Sequence, residues 1–329
     1  MTVVTRLRYQ LADFSEVVAL ISFVAVFLFF TIAAKNFLTL FAISNVLTFA
    51  SITGIVVIGV AVLMISGEFD LSVGSTFAVA SYVLALSINA GVAPVAALLL
   101  ALLICTGLGA INGLIVTTSG IPSFIATLGT MLAYRGIARA IGGGVFASYK
   151  GERLLLFDVL NGPMDIVNRL SDPPANLRVS IIWFLVVAVV MSWLLTRTRY
   201  GNWVFATGGN PGAALAQGVA TRRIKVINFA LTGLLAGLAS MLQFAHRASV
   251  DPLRGEGMEL IAVAACVIGG VRLAGGYGTI AGACIGMLLL QMLEQGLVLM
   301  RVPVQVFQAA AGLILIIAVV SNLNLSRQE

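Results

Sequence analysis

The chain has 329 residues, of which 60% are hydrophobic and only 10% are charged, and it carries a formal net charge of +6. A soluble protein needs more surface charge than this to stay in solution, so the composition excludes a soluble globular fold. The positive charge suits contact with membrane lipid, whose headgroups are often anionic, and gives no reason to expect a nucleic-acid partner.

The longest uncharged run predicts several membrane-spanning helices. Residues 71–134 contain no Asp, Glu, Lys, Arg or His, and charge inside hydrocarbon is costly. One span needs about 20 residues, so the uncharged runs predict about ten helices in an all-α integral membrane protein. In chain order they are expected near 17–34, 43–66, 71–89, 94–118, 122–141, 179–197, 225–245, 258–272, 277–299 and 304–322.

Two long connections separate the predicted helices. Residues 142–178 mix Gly, Pro, Asn, acids and bases, which predicts an external segment with a short amphipathic helix around 153–160. Residues 198–224 form the second connection, and the basic cluster around them favours the cytoplasmic side. Within it, Asn210 and Pro211 mark a turn and a helix start, and small residues follow up to Gly218. We expect a short surface helix there that offers small side chains to a partner.

A weak internal duplication suggests an inverted repeat. Asp70-Leu71 precedes one apolar helix pair, and Glu259-Leu260 precedes another. Five spans separate the two halves, so they would face opposite ways through the bilayer. Repeats of this kind are common in transporters, with the pathway at the repeat interface. The chain is therefore expected to be a single transmembrane domain over 1–329 in a five-plus-five arrangement.

The sequence carries no catalytic or metal-binding constellation. The cysteines are isolated, His246 is the only histidine, and no phosphate-binding glycine loop occurs. We expect neither an enzyme nor a bound cofactor, and any ATP hydrolysis would belong to another subunit.

Several amides inside the predicted spans must avoid lipid. They could bond neighbouring helices or contact a solute, and both interpretations remain open. These candidate pathway residues are Asn112, Gln291, Gln295, Gln305 and Gln308.

A more specific signal lies at residues 67–75, which read Gly-Glu-Phe-Asp-Leu-Ser-Val-Gly-Ser. This resembles the Gly-Gly-Ile-Asp-Leu-Ser-Val-Gly-Ser segment of the membrane permeases of ribose-type ABC sugar importers, with Glu68 and Phe69 replacing the usual Gly and Ile. Further matching segments follow in order at 112–114, 121–131, 208–218, 259–265 and 269–278. The matching motif positions are Asp70, Ser72, Gly74, Pro122 and Glu259.

The resemblance implies a ten-span permease of the bacterial inner membrane that imports a monosaccharide or related polyol. It implies a second permease subunit, identical or paralogous, two ATP-binding subunits that hold ATP and magnesium, and a periplasmic sugar-binding protein. It also implies that the 208–219 helix is the coupling helix that docks into the ATPase, through Gly209, Asn210, Ala213, Ala214 and Gly218. The alternative is an ion-coupled secondary transporter, for which Glu294 would be the main intramembrane carboxylate.

Overall fold

A computed structural model describes residues 15–303 and scattered positions from 306 to 316. The predicted helix at 304–322, with Gln305 and Gln308, lies outside this continuous described part. The all-α prediction is confirmed, and a helix occupies most of each predicted span up to residue 299. In chain order the helices are α1 (Ser15–Ala33), α2 (Leu40–Ile65), α3 (Val73–Asn89), α4 (Pro94–Ser119), α5 (Ser123–Ile141), α6 (Leu155–Asn161), α7 (Asp165–Asn168), α8 (Ser180–Arg197), α9 (Arg199–Gly209), α10 (Pro211–Ala216), α11 (Thr221–Arg247), α12 (Met258–Ile268) and α13 (Ile280–Leu299).

Five of these helices are long and apolar enough to cross a membrane, namely α2, α4, α8, α11 and α13. Local sequence sets their ends. The Thr39 side chain accepts a hydrogen bond from the backbone of Ala42 at the start of α2, and Thr279 accepts one from Gly282 at the start of α13. Pro94 begins α4, where its missing N–H costs nothing.

The helix bundle has two ends, which we call the outer end and the inner end. The outer end carries residues 142–178, where β1 (Ala147–Ser148) pairs antiparallel with β2 (Ser249–Val250). Helix α6 lies in this segment, which confirms the short helix expected around 153–160. The inner end carries residues 198–224. There the backbone N–H of Gly276 donates to the carbonyl of Ile65 at 2.8 Å.

Two of the predicted spans are short helices that begin inside the bundle. Helix α3 has 17 residues and runs to the outer end, where Asn89 donates to the Ser148 carbonyl. Helix α12 has 11 residues and runs towards the inner end, before the loop that holds Gly276. At 1.5 Å per residue they are about 25 Å and about 16 Å long, so neither crosses a hydrocarbon core of about 30 Å alone.

The sequence expectation for the 258–272 region was therefore wrong in length. Helix α12 ends at Ile268, because Gly269 and Gly270 interrupt it and Gly270 has a φ of 86°. The apolar run continues past these glycines, so hydropathy alone extended the predicted helix too far.

The packing of the long helices follows the expected inverted repeat in part. Helix α2 packs against α11, α12 and α13, and α11 packs in the same way against α2, α3 and α4. If α2, α3 and α4 are taken to correspond to α11, α12 and α13, each of these contacts has its counterpart in the other half. The first helix of each half docks differently, since α1 packs on α13 and α8 packs on α2.

Candidate functional site

Residues 198–224, which we call the coupling loop after their predicted role, contain two helices, of which the sequence predicted only the second. Helix α9 begins after Thr198, whose side chain accepts a hydrogen bond from the backbone N–H of Gly201 at 3.3 Å. One face of α9 is buried through Val204, while Trp203 on another face is 44% exposed. The helix therefore lies along the inner end of the bundle and holds α10 in place.

Helix α10 forms where the turn residues predicted a helix. The Asn210 side chain accepts a hydrogen bond from the Ala213 backbone N–H at 3.0 Å, and Pro211 occupies the first turn. Its last helical residue is Ala216, two residues before the expected end at Gly218. The helix is too short to be stable alone, so its cap and its packing on the body hold it.

The exposure of α10 corrects one of the five predicted coupling residues. Gly209, Asn210, Ala213 and Gly218 are exposed, as an external docking surface requires. Ala214 is only 4% exposed and faces the chain's own body, so it is not available to a partner. The exposed surface of α10 also includes Leu215, which is 56% exposed.

The start of α3 inside the bundle, which we call the first helix break, is held by a hydrogen-bonded polar network around Asp70. The Asp70 carboxylate accepts a hydrogen bond from the Ser72 backbone at 2.7 Å and from the Asn112 amide at 3.3 Å. The Asn112 amide also donates to the Ser72 hydroxyl at 2.7 Å, and the Tyr134 hydroxyl donates to Asn112 Oδ1 at 3.0 Å. These bonds tie the start of α3 to α4 and α5.

The start of α12 inside the bundle is the second helix break, and some of its buried polar atoms lack hydrogen-bond partners. Glu259 lies in the first turn of α12, and its Oε2 atom is buried without a hydrogen-bond partner. Arg135 on α5 donates to the Arg254 carbonyl at 2.5 Å, and Arg254 pairs with Asp251 at 2.8 Å. The Nε atom of Arg254 is also buried without a partner.

The two breaks touch at Gly74. A methyl group added there would overlap the Gly255 carbonyl oxygen and reach the Glu259 carboxylate. Helices α3 and α12 therefore meet with their N-terminal ends together, and each end carries an acidic residue, Asp70 or Glu259. A helix N-terminus has partial positive charge, which favours a nearby carboxylate. Discontinuous helices that meet in this way are typical of transporter pathways.

Four of the five motif residues are thus brought to one place, and the fifth lies nearby. Asp70, Ser72, Gly74 and Glu259 surround the meeting point of the broken helices. Pro122 precedes α5, and the next residue, Ser123, accepts a hydrogen bond from the Phe69 backbone at 3.0 Å.

The three predicted pathway amides within the described residues do not form one surface. Asn112 is completely buried and bonds α4 to its neighbours, so the interhelical interpretation describes it in this conformation. Gln291 is 7% exposed and donates to Glu294 at 3.0 Å, while Gln295 is half-buried. Gln305 and Gln308 are not among the described residues.

Sequence reasoning missed three contributors to this region. Tyr134 and Arg135 lie next to each other in a predicted span, and a charged residue inside a span is a signal of function. Lys225, in the first turn of α11, pairs with Glu68 in the turn before α3. The scarcity of lysine, which occurs at only three positions, was the available signal for Lys225.

Comparison with known proteins agrees with this architecture. Residues 42–319 match the family described as the permease component of the branched-chain amino acid transport system. The autoinducer 2 import system permease protein LsrC of Salmonella typhi is 34% identical over 303 residues, which cover 92% of this chain and 83% of the relative. LsrC of Yersinia pseudotuberculosis serotype O:3 is 34% identical over 302 residues, 92% of this chain and 82% of the relative.

No solved structure matches the chain. The family match covers more than half of the chain, and the importer relatives contradict the alternative of an ion-coupled secondary transporter. ATP hydrolysis in such systems lies in a separate subunit, so the chain is not itself an enzyme. The chain belongs to the family of these transport-system permease components, and it is the multi-pass membrane permease subunit of an ABC importer.

Proposed function

We propose that this permease lies in a bacterial inner membrane and imports a small hydroxylated, sugar-like solute. The proposal follows from the resemblance to ribose-type permeases and from relatives named as autoinducer 2 import permeases. Passage without chemical change needs no tight membrane site, because a periplasmic binding protein would select the solute. The family description mentions branched-chain amino acids, so amino-acid uptake is the competing outcome of a transport assay.

The assembly would contain two permease subunits, either two copies of this chain or this chain with a paralogue. Two ATP-binding subunits would hold ATP and magnesium on the cytoplasmic side, which is the inner end defined above. The binding protein would deliver solute at the outer end.

The observation that carries the proposal is the exposed helix α10. It is capped by Asn210, it presents Ala213 to the outside, and exposed Arg222 and Arg223 follow it. A small side chain allows close approach of a partner, and the cap holds the helix rigid. We propose that α10 fits a cleft of the ATP-binding subunit and that ATP binding moves it.

The mechanism that this arrangement supports is alternating access. ATP would bring the two ATP-binding subunits together, and each would displace one α10. Movement of the helices around the broken-helix meeting point would then open the pathway outwards or inwards. Residues of this chain would position and move helices, and the partner subunits would carry out the hydrolysis.

The test is a bulky charged substitution at Ala213. In the full assembly, Ala213→Arg is expected to abolish copurification of the ATP-binding subunits and ATP-driven uptake, while membrane insertion stays normal. Uptake would be measured in proteoliposomes with autoinducer 2, ribose and leucine as separate probes.

The matched control is Ala93→Arg, because Ala93 is also exposed but lies at the outer end, in the connection between α3 and α4. It should leave the association with ATP-binding subunits intact. The buried Ala214 is unsuitable for this test, since a large residue there would disturb the chain's own packing. Normal copurification with Ala213→Arg would contradict docking through α10, and uptake of leucine alone would contradict the sugar-like solute.

A further inference from the structure

Three backbone segments meet at the inner end without any side chain between them. We call this contact the glycine junction and define it by Gly67, Gly208, Gly209, Gly275 and Gly276. A Cβ atom added to Gly208 would overlap the Ile65 carbonyl oxygen and lie 2.6 Å from the Gly276 nitrogen. One added to Gly275 would lie 2.8 Å from the Gly67 Cα atom. The contact therefore requires glycine.

The three segments lead to the moving parts of the proposed mechanism. Gly67 lies in the turn that connects α2 to the broken helix α3. Gly208 and Gly209 end α9 directly before the coupling helix α10. Gly275 and Gly276 lie in the loop between the broken helix α12 and α13. Because packed backbones transmit displacement with little compression, movement of α10 would reach both broken helices here.

A second connection ties the other end of the coupling loop to the same turn. Lys225 in the first turn of α11 forms an ion pair with Glu68, next to Gly67. The Glu68 side chain is 9% exposed and that of Lys225 is 21% exposed, so water screens the pair only in part. Glu68 stands where the resembling ribose-type segment has Gly, so a chain with that segment would lack this pair.

The turn that holds Glu68 also contacts the residues around the first break. The Phe69 backbone N–H donates to Ser123 at the start of α5 at 3.0 Å. The next residue, Asp70, belongs to the bonded network that holds the start of α3. Glu68 thus stands between the coupling loop and the broken helix with fixed contacts on both sides.

We propose that Glu68 and Lys225 are positioning residues that, with the glycine junction, carry the displacement of α10 into the broken helices. This inference rests on the proposed docking of ATP-binding subunits on α10. Glu68 and Lys225 touch neither solute nor nucleotide in it. They determine how far α3 moves when α10 moves.

The experiment measures that conversion in the full assembly with its ATP-binding subunits. Spin labels are placed through Ala90→Cys, at the exposed outer end of α3, and Val186→Cys, on the exposed face of α8. Cys284→Ser removes the native thiol that is partly exposed. Labelled chains are diluted with unlabelled copies, and the distance between the labels is measured with and without ATP and vanadate. ATP hydrolysis is measured on the same samples.

We expect ATP to shift the distance in the parent protein. Glu68→Gln or Lys225→Met should reduce the shifted fraction at least about fivefold, the lower end of typical allosteric coupling, while ATP hydrolysis persists. The charge exchange Glu68→Lys with Lys225→Glu should restore the shift. The matched control is Asp158→Asn, which removes the solvent-exposed Arg153–Asp158 pair at the outer end and should change nothing.

The outcomes separate the two proposals. If the ATP-binding subunits copurify but ATP produces no shift in the parent, or if Glu68→Gln keeps the full shift, the transmission proposal is wrong and the docking proposal stands. If the ATP-binding subunits fail to copurify with the parent chain, the proposed function itself fails. A parallel loss of expression, hydrolysis and shift that the charge exchange does not rescue would indicate a purely structural pair.

Discussion

The two helix breaks occupy corresponding places in the two halves of the chain, yet their polar groups are satisfied differently. At the first break, Asp70 and Asn112 are buried and each makes hydrogen bonds to neighbouring elements. At the second, Glu259 Oε2 and Arg254 Nε are buried without partners. The first break follows a tight turn, whereas the second follows segment 248–257, which contains strand β2 and then consecutive turns.

This difference separates a break whose contacts stay fixed from one whose contacts can change. A satisfied buried network favours one arrangement of its helices, because any movement breaks bonds. A buried carboxylate with an unpartnered oxygen costs free energy, and another arrangement can recover that cost. We therefore expect the contacts of α12 and segment 248–257 to rearrange more readily than those between the start of α3 and α4.

The sharpest test applies the same chemical change to both breaks, and its larger effect is expected at Asp70. Asp70→Asn keeps one acceptor oxygen for the Ser72 backbone N–H but places an NH₂ group against the Asn112 amide donor. Hydrogen bonds to a charged group contribute about 1.5–3 kcal/mol, so we expect a loss of about 2–3 kcal/mol in the free energy of unfolding. Titration with sodium dodecyl sulfate in mixed micelles would measure it, and an unchanged unfolding midpoint would contradict the bonded network.

A second test addresses the contact between the breaks. Gly74→Ala places a methyl group against the Gly255 carbonyl and the Glu259 carboxylate. Backbone must move to admit it, and overpacking of this kind costs about 2 kcal/mol. The control is Gly129→Ala on α5, where an added Cβ meets nothing within 4 Å and should be neutral or slightly stabilising. Equal unfolding midpoints for the two variants would show that α3 and α12 do not meet at Gly74.

The sequence alone predicted the helices well and the contacts between them poorly. Charge-free runs located each span in the described part up to residue 299, and Asn210 with Pro211 located α10, because both signals are local. The resemblance identified Asp70 and Glu259 as important residues. It could not show that both residues lie where helices start inside the bundle, because an apolar run does not reveal how deep in the membrane a helix begins.

The remaining features depend on tertiary contacts. Ala213 and Ala214 are chemically identical neighbours, and only packing of α10 on the body exposes one and buries the other. Glu68 and Lys225 are 157 residues apart in the chain, so no local pattern connects them. The amphipathic helix α9 was hidden because its polar and small residues resembled a loop.

A smaller effect is expected from the outermost member of the Asp70 network. Tyr134→Phe removes the donor to Asn112 Oδ1 and to the Leu108 carbonyl but keeps the ring. Interhelical hydrogen bonds in membranes are worth about 1 kcal/mol, so the unfolding free energy should fall by about that amount. Tyr149→Phe is the control, because no hydrogen bond of the Tyr149 hydroxyl occurs within the described part. A loss as large as that of Asp70→Asn would mean that Tyr134, and not Asp70, organises the network.

The smallest change in stability is expected at the second break. Glu259→Gln retains the shape of the side chain and removes a carboxylate whose Oε2 atom has no partner to lose. The new NH₂ group lies beside Gly74, as does the Gly255 carbonyl, an acceptor four residues earlier in the same segment. A hydrogen bond from this NH₂ group and the loss of attraction to Arg135 would oppose each other, so we expect a net change below about 1 kcal/mol, less than the contribution of one hydrogen bond. The same detergent titration used for Asp70→Asn measures it. If Glu259→Gln destabilised the protein as much as Asp70→Asn, the contacts of both breaks would be fixed, and the contacts that rearrange would have to lie elsewhere.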